Sequence, residues 1–169
     1  DRKRDFTFPA KIEKFKKMHP VTGGSAKFID FLEKELQPYI KANYKTNDST
    51  YLIGQSLGGL VASEILLKKP DLFSNYIIVS PSLWWDDGAL LKQAPALLTG
   101  QPDNKKWVYV SGGTEGKEME EGAAGLVKAL QNSGKKNLKI DFVPLPKENH
   151  ATILHNSIYE AFNILYPYK

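Results

Sequence analysis

Cysteine is absent from all 169 residues. That excludes disulfides, thiolate nucleophiles and cysteine-based zinc sites. No run of about 18 apolar residues occurs, so nothing in the sequence reads as a membrane-spanning helix. Internal repeats and low-complexity tracts are missing too, which excludes solenoids and repeat arrays. The chain starts on Asp1 and shows no short apolar stretch after a charged start, the pattern of a secretory leader. What remains is the composition of one globular domain, with 41% hydrophobic and 25% charged residues. A chain of about 150 residues can bury roughly two-thirds of its unfolded surface. Collagenous and disordered chains are excluded or disfavoured on the same grounds.

The net charge of +4 is not evenly spread. Residues 1–20 hold seven basic groups (Arg2, Lys3, Arg4, Lys11, Lys14, Lys16 and Lys17) against three acidic ones (Asp1, Asp5 and Glu13). The other 149 residues balance at 16 against 16. A short basic arm therefore accounts for the high isoelectric point. Such an arm can attract phosphates. No stacking platform and no nucleic-acid motif accompanies it, so it reads as a solvated segment and no nucleic-acid partner is expected.

Residues 1–23 are polar and broken by Pro9, Pro20 and Gly23, and they read as an extended lead-in, with His19 solvated. From Ser25 to about Tyr44, Phe28, Phe31, Leu32, Leu36, Tyr39 and Ile40 fall on one helical face. Pro38 lies inside that pattern and is expected to kink or end it. Apolar strands are expected at 50–53, 76–80, 107–111 and 138–145. Helices are expected at 57–69, near 88–98, at 117–133 and at 151–166. Alternation of apolar strands with amphipathic helices implies a mostly parallel sheet covered on both faces, in one domain spanning 1–169. Reactive groups should then gather at the carboxyl ends of the strands.

At the end of the first strand stands Gly54-Gln55-Ser56-Leu57-Gly58, a G-x-S-x-G pattern between a strand and a helix. The tight turn requires Gly54 and Gly58 to lack side chains. It exposes the Ser56 hydroxyl at a helix N-terminus, where the dipole favours developing negative charge. The Leu57 N–H is one expected oxyanion donor. A serine nucleophile needs a base. His150 follows the fourth strand and lies at the sheet's carboxyl edge, whereas His155 falls within a helix. The orienting acid should follow the third strand. Glu115 is the nearest carboxylate there, Glu118, Glu120 and Glu121 begin a helix, and Asp86 and Asp87 after the second strand are the alternative. Gln55, Trp84 and Trp85 are candidate substrate contacts, the tryptophans having core packing as their alternative. No metal and no cofactor is called for.

Four stretches carry a resemblance. They are Arg2–Pro9 (RKRDFTFP), the helix with Phe31-Leu32-Glu33-Lys34-Glu35-Leu36 and Pro38-Tyr39-Ile40, Leu52–Ala62 (LIGQSLGGLVA), and Ser80–Trp85 (SPSLWW). Together they resemble the putative-esterase family of α/β-hydrolases, which includes esterase D-like enzymes and trilactone siderophore esterases. The resemblance implies an α/β-hydrolase three-layer sandwich, with Ser56 as nucleophile, His150 as base and Glu115 as the acid. It implies a carboxylesterase acting on a small-molecule ester. An acyltransferase, a carbohydrate-ester esterase and a non-catalytic hydrolase-like binding module are the other readings. Relatives have about a hundred further residues before the R-x-R-D stretch, which supply the first strands and usually the second oxyanion N–H. The chain is accordingly expected to lack those strands, to expose an edge at 50–53, and to self-associate through it.

Overall fold

The computed structural model describes residues 1–167. Its four strands are β1 (Tyr51–Ser56), β2 (Asn75–Pro81), β3 (Lys106–Ser111) and β4 (Leu138–Phe142). They form one parallel sheet in the order β1-β2-β3-β4. The β3–β4 ladder runs past the end of β4, since Val143 N–H donates to Val110 O at 3.0 Å and Leu145 N–H to Gly112 O at 2.9 Å. Successive strands are linked by α5 (Leu57–Lys68), α6 (Trp85–Thr99) and α7 (Lys117–Gln131), and α8 (Ile153–Leu165) follows β4. The expected α/β architecture is therefore present.

Burial explains the pattern. The inner strands β2 and β3 are apolar on both faces because helices cover both. Tyr76, Ile78, Val108 and Val110 pack in one core with Leu60, Leu66 and Leu126. Ile77, Val79 and Tyr109 pack in the other with Ile153 and Ala161 of α8. The edge strands are less covered, and Ile53 and Phe142 stay about 40% exposed.

Two expectations need correction. The first concerns the helix from Ser25, which is neither broken nor ended at Pro38. It runs through α3 (Ser25–Phe31), a π-helical turn at Leu32–Leu36, and α4 (Gln37–Asn43). Proline has no N–H to donate back along the helix, and its ring crowds the carbonyl four residues earlier. Widening the turn just ahead of Pro38 accommodates both.

The second concerns residues 1–23, which form α1 (Arg2–Asp5) and α2 (Glu13–Met18) and are tied to the body. Thr7, Phe8 and Ala10 are buried. His19 is half-buried, 5.5 Å from the Trp85 ring. Sequence reasoning missed this because the anchor is distant. The buried Asp86 carboxylate accepts from Lys11 N–H at 2.9 Å and Ile12 N–H at 3.0 Å.

The helix expected near 88–98 is the right-handed part of α6, which follows a left-handed turn at Asp86 (φ 51°), Asp87 (φ 55°) and Gly88 (φ 69°). Glycine takes such angles freely, and aspartate tolerates them better than most residues.

Candidate active site

The site lies at the carboxyl ends of β1, β2 and β3, where Ser56, Ser82, Trp84, Glu115, Met119 and His150 line an open cleft of about 510 Å³. Ser56 ends β1 at φ 61°, ψ −122°, outside the regions ordinary residues occupy. Such a conformation costs on the order of 1–3 kcal/mol and persists only when its surroundings enforce it. They do so here. A Cβ on Gly54 would lie 2.2 Å from Gly58 O, so the strand and helix could not approach with any other residue there. A Cβ on Gly59 would lie 2.9 Å from the Pro81 Cα. Gly58 differs from expectation, because a Cβ there would meet nothing within 4 Å. The helix leans on Gly58's backbone, and the close approaches fall on Gly54 and Gly59. Leu57 is the first residue of α5. Its N–H has no partner within the helix and sits at the positive end of the helix dipole.

Glu115 and His150 meet across two loops. The His150 Nδ1 is 2.5 Å from Glu115 Oε2, with the Glu115 side chain 3% exposed and His150 50% exposed. The other carboxylate oxygen accepts from the Ser80 hydroxyl and, at 3.1 Å, from Gly113 N–H. The loops are stitched together by Thr114 N–H donating to Glu148 O at 2.9 Å and Thr114 Oγ1 donating to Pro146 O at 2.9 Å. A Cβ on Gly113 would lie 2.5 Å from Glu148 O, so only glycine permits that approach. Gln55 Nε2 donates to the His150 carbonyl at 2.6 Å. Gln55 thus holds the histidine's main chain rather than lining the cleft.

The remaining candidates divide. Trp84 lines the cleft. Trp85 does not. Its ring is 2% exposed and its Nε1 donates to Phe8 O at 2.9 Å, which is the core-packing alternative. Asp86 holds the N-terminal segment, as described above, and Asp87 pairs with Lys92 at 2.5 Å. Neither bonds to His150 and neither lines the cleft. Two serines were missed. Ser82 Oγ lies 3.4 Å from Ser56 Oγ, and its N–H donates to Ser56 O at 3.0 Å. Ser80 adopts φ 42° and supports Glu115. A signal existed in Ser80-Pro81-Ser82, two hydroxyls at the carboxyl end of the strand beside that of Ser56. Among the described residues, no cluster of three or more His, Asp or Glu could hold a metal ion. None of the described helices is long and apolar enough to cross a membrane.

A strained serine at a strand-to-helix turn and a carboxylate-held histidine share one cleft at the carboxyl ends of a parallel sheet, with no hydrogen bond between Ser56 and His150 among the described residues, and the fold is that of the α/β-hydrolase class. The model of the Putative esterase family matches residues 1–151, and the chain belongs to that family. It is 30% identical over 165 residues to the ferri-bacillibactin esterase BesA of Bacillus subtilis, covering 90% of this chain and 57% of that protein. Among solved structures, the BES protein of Bacillus cereus superposes with a TM-score of 0.83 at 32% identity, covering 94% of this chain and 61% of that one. An IroE-like serine hydrolase of Shewanella oneidensis superposes with a TM-score of 0.86 at 27% identity, covering 98% and 56%. The chain therefore spans somewhat under two-thirds of the length of these relatives.

Proposed function

We propose that the chain carries the nucleophile, base and acid of a serine esterase, and that its substrate is an ester of the siderophore type. One observation carries the reading. The Glu115 carboxylate is fixed by Ser80, Gly113 N–H and His150 Nδ1, with Ser56 on the same cleft. With Nδ1–H donated to Glu115, the other ring nitrogen is the basic one. It takes the Ser56 proton as Oγ adds to the ester carbonyl. The Leu57 N–H stabilises the resulting oxyanion. Collapse expels the alcohol, which receives the proton from the imidazolium. Water then repeats the sequence on the acyl-serine, releasing the acid and restoring Ser56. The relatives' names, BesA's as a ferri-bacillibactin esterase foremost, support the substrate class.

The test is labelling with a fluorophosphonate probe read by intact mass. The expected result is one adduct on the native chain and none on Ser56→Ala. A folded native chain that takes no adduct rejects an assembled site. Turnover of ferri-bacillibactin, followed by chromatography of the released fragments, tests the substrate. A chain that labels at Ser56 yet leaves that ester intact would reject the class.

A further inference from the structure

Among the described residues, the Ser56 hydroxyl has a single hydrogen-bond partner, the Ser82 hydroxyl at 3.4 Å, and Ser82's hydroxyl has no partner but Ser56. The sheet puts the two together. β1 and β2 are paired in register as far as Gln55 and Val79, and a shift there brings Ser56 opposite Pro81. One more bond follows, from Ser82 N–H to Ser56 O at 3.0 Å. The chain beyond is fixed as well, since Leu83 N–H donates to Pro81 O at 2.7 Å and Trp85 N–H to Ser82 O at 3.2 Å. On the other side α5 closes on Pro81, whose Cα would lie 2.9 Å from a Cβ on Gly59. Ser82 is 2% exposed and yet lines the cleft. A hydroxyl buried to that degree needs a partner. The separation of 3.4 Å is long for an O–H···O bond between neutral groups. Such bonds shorten and strengthen when the acceptor becomes charged.

We propose that Ser82 is a further catalytic residue, whose hydroxyl donates to Ser56 Oγ as that oxygen becomes negative. The proposal rests on the ester-hydrolase reading of the cleft and adds a donor to it. The Ser56 hydroxyl oxygen carries one hydrogen and two lone pairs. In the attack the hydrogen passes to His150, and one lone pair forms the bond to the ester carbonyl carbon. The other lone pair accepts from Ser82. When the acyl-serine is hydrolysed, the bond from carbon to Oγ breaks and its electron pair stays on Oγ. His150 returns a proton to that oxygen, and the Ser82 hydroxyl stabilises the pair until the proton arrives. Ser82 keeps its own proton throughout. The two serines of Ser80-Pro81-Ser82 thus serve opposite ends of the site, Ser80 the carboxylate and Ser82 the nucleophile.

The test is the rate of fluorophosphonate labelling at Ser56, followed by intact mass against time and probe concentration in the native chain and in Ser82→Ala. Alanine removes the hydroxyl and keeps the N–H bond to Ser56 O. The expected result is a maximal labelling rate lower by about ten-fold or more, with the half-saturating probe concentration changed less than about two-fold. The pH of half-maximal labelling belongs to His150 and stays in place. Ser82→Thr and Ser82→Val add nearly the same bulk, and only threonine keeps a hydroxyl, so Ser82→Thr labels faster than Ser82→Val. A Ser82→Ala chain that labels as fast as the native one, equal losses in the threonine and valine variants, or a loss that comes with a moved pH midpoint would each overturn the proposal. A folded native chain that takes no adduct overturns the esterase reading along with it. A native chain that labels, beside an unchanged Ser82→Ala, overturns the role of Ser82 alone.

Discussion

Gly54 and Gly58 occupy equivalent places in the motif yet do different work. Gly54→Ala forces a Cβ to within 2.2 Å of a backbone oxygen. We expect loss of several kcal/mol, or no soluble fold at all, since backbone cannot yield as a flexible side chain does. Gly58→Ala meets open space inside a helix. Alanine is favoured over glycine there by up to about 1 kcal/mol. Its melting temperature should hold or rise, and a fall of several degrees would show that Gly58 is sterically needed. Ser80 offers a second test. Removing its hydroxyl strips Glu115 of one donor, and a hydrogen bond to a charged group is worth about 1.5–3 kcal/mol. Ser80→Ala should lower kcat/KM for an ester by about ten-fold or more, acting on kcat, with partial recovery in Ser80→Thr. At this scale the sequence was readable where geometry is local. Ser56 lies in a strand, a turn and a helix that are contiguous. Ser80 was not readable, because its partner Glu115 stands 35 residues away and the pairing exists only once β2 and β3 are side by side.

Elements show the same division. The strands and crossover helices were legible because their periodicity reports burial directly. The N-terminal segment was not, because its anchors come from the far side of β2. Its charges and prolines read as solvated chain. In the fold, two N–H groups end on one buried carboxylate and the Phe8 carbonyl on one buried indole. Asp86→Asn replaces one acceptor with a donor that faces a donor. The expected cost is about 1–3 kcal/mol. Trypsin should then cut between Lys11 and Lys17 while the sheet domain stays intact. Cleavage no faster than in the native chain would show that Asp86 does not hold α2. The π-helical turn ahead of Pro38 was beyond sequence reasoning for a related reason. Proline marks where the hydrogen-bond pattern must change, and packing of Leu32 against the core decides that the helix continues.

For the molecule as a whole, two properties follow from what is buried and what is left open. Burial pushes the Tyr109 phenol up to about 12 and raises Tyr76 above its ordinary value as well. A raised folded-state pKa means the neutral form is favoured by folding. The associated stability is complete below the unfolded value near 10 and is lost as pH rises to about 12. The urea midpoint should therefore fall steeply across this window, and Tyr109→Phe should make the fall shallower. An unchanged slope would remove Tyr109 as a cause. The second property is the edge at β1, which has no further strand beside it among the described residues. Ile53 is 41% exposed there, with Tyr39 and Tyr44 exposed on α4 and just beyond it, and Tyr166 exposed after α8. Light scattering should show mass rising with concentration, and Ile53→Lys should suppress it, because a charge on an edge strand opposes pairing.

The strands lie in the sheet in the order in which they occur in the chain. During synthesis each new strand can dock on the one made just before it. The strained turn at Ser56 comes first, Glu115 third in strand order, and His150 only after β4. A chain still being made, or clipped after Pro146, has the hydroxyl and the carboxylate but no imidazole to join them. The bonds from Thr114 to Glu148 and Pro146 mark where that last loop closes on the rest. By this arrangement the histidine proposed as base reaches Glu115 only after all four described strands have been laid down.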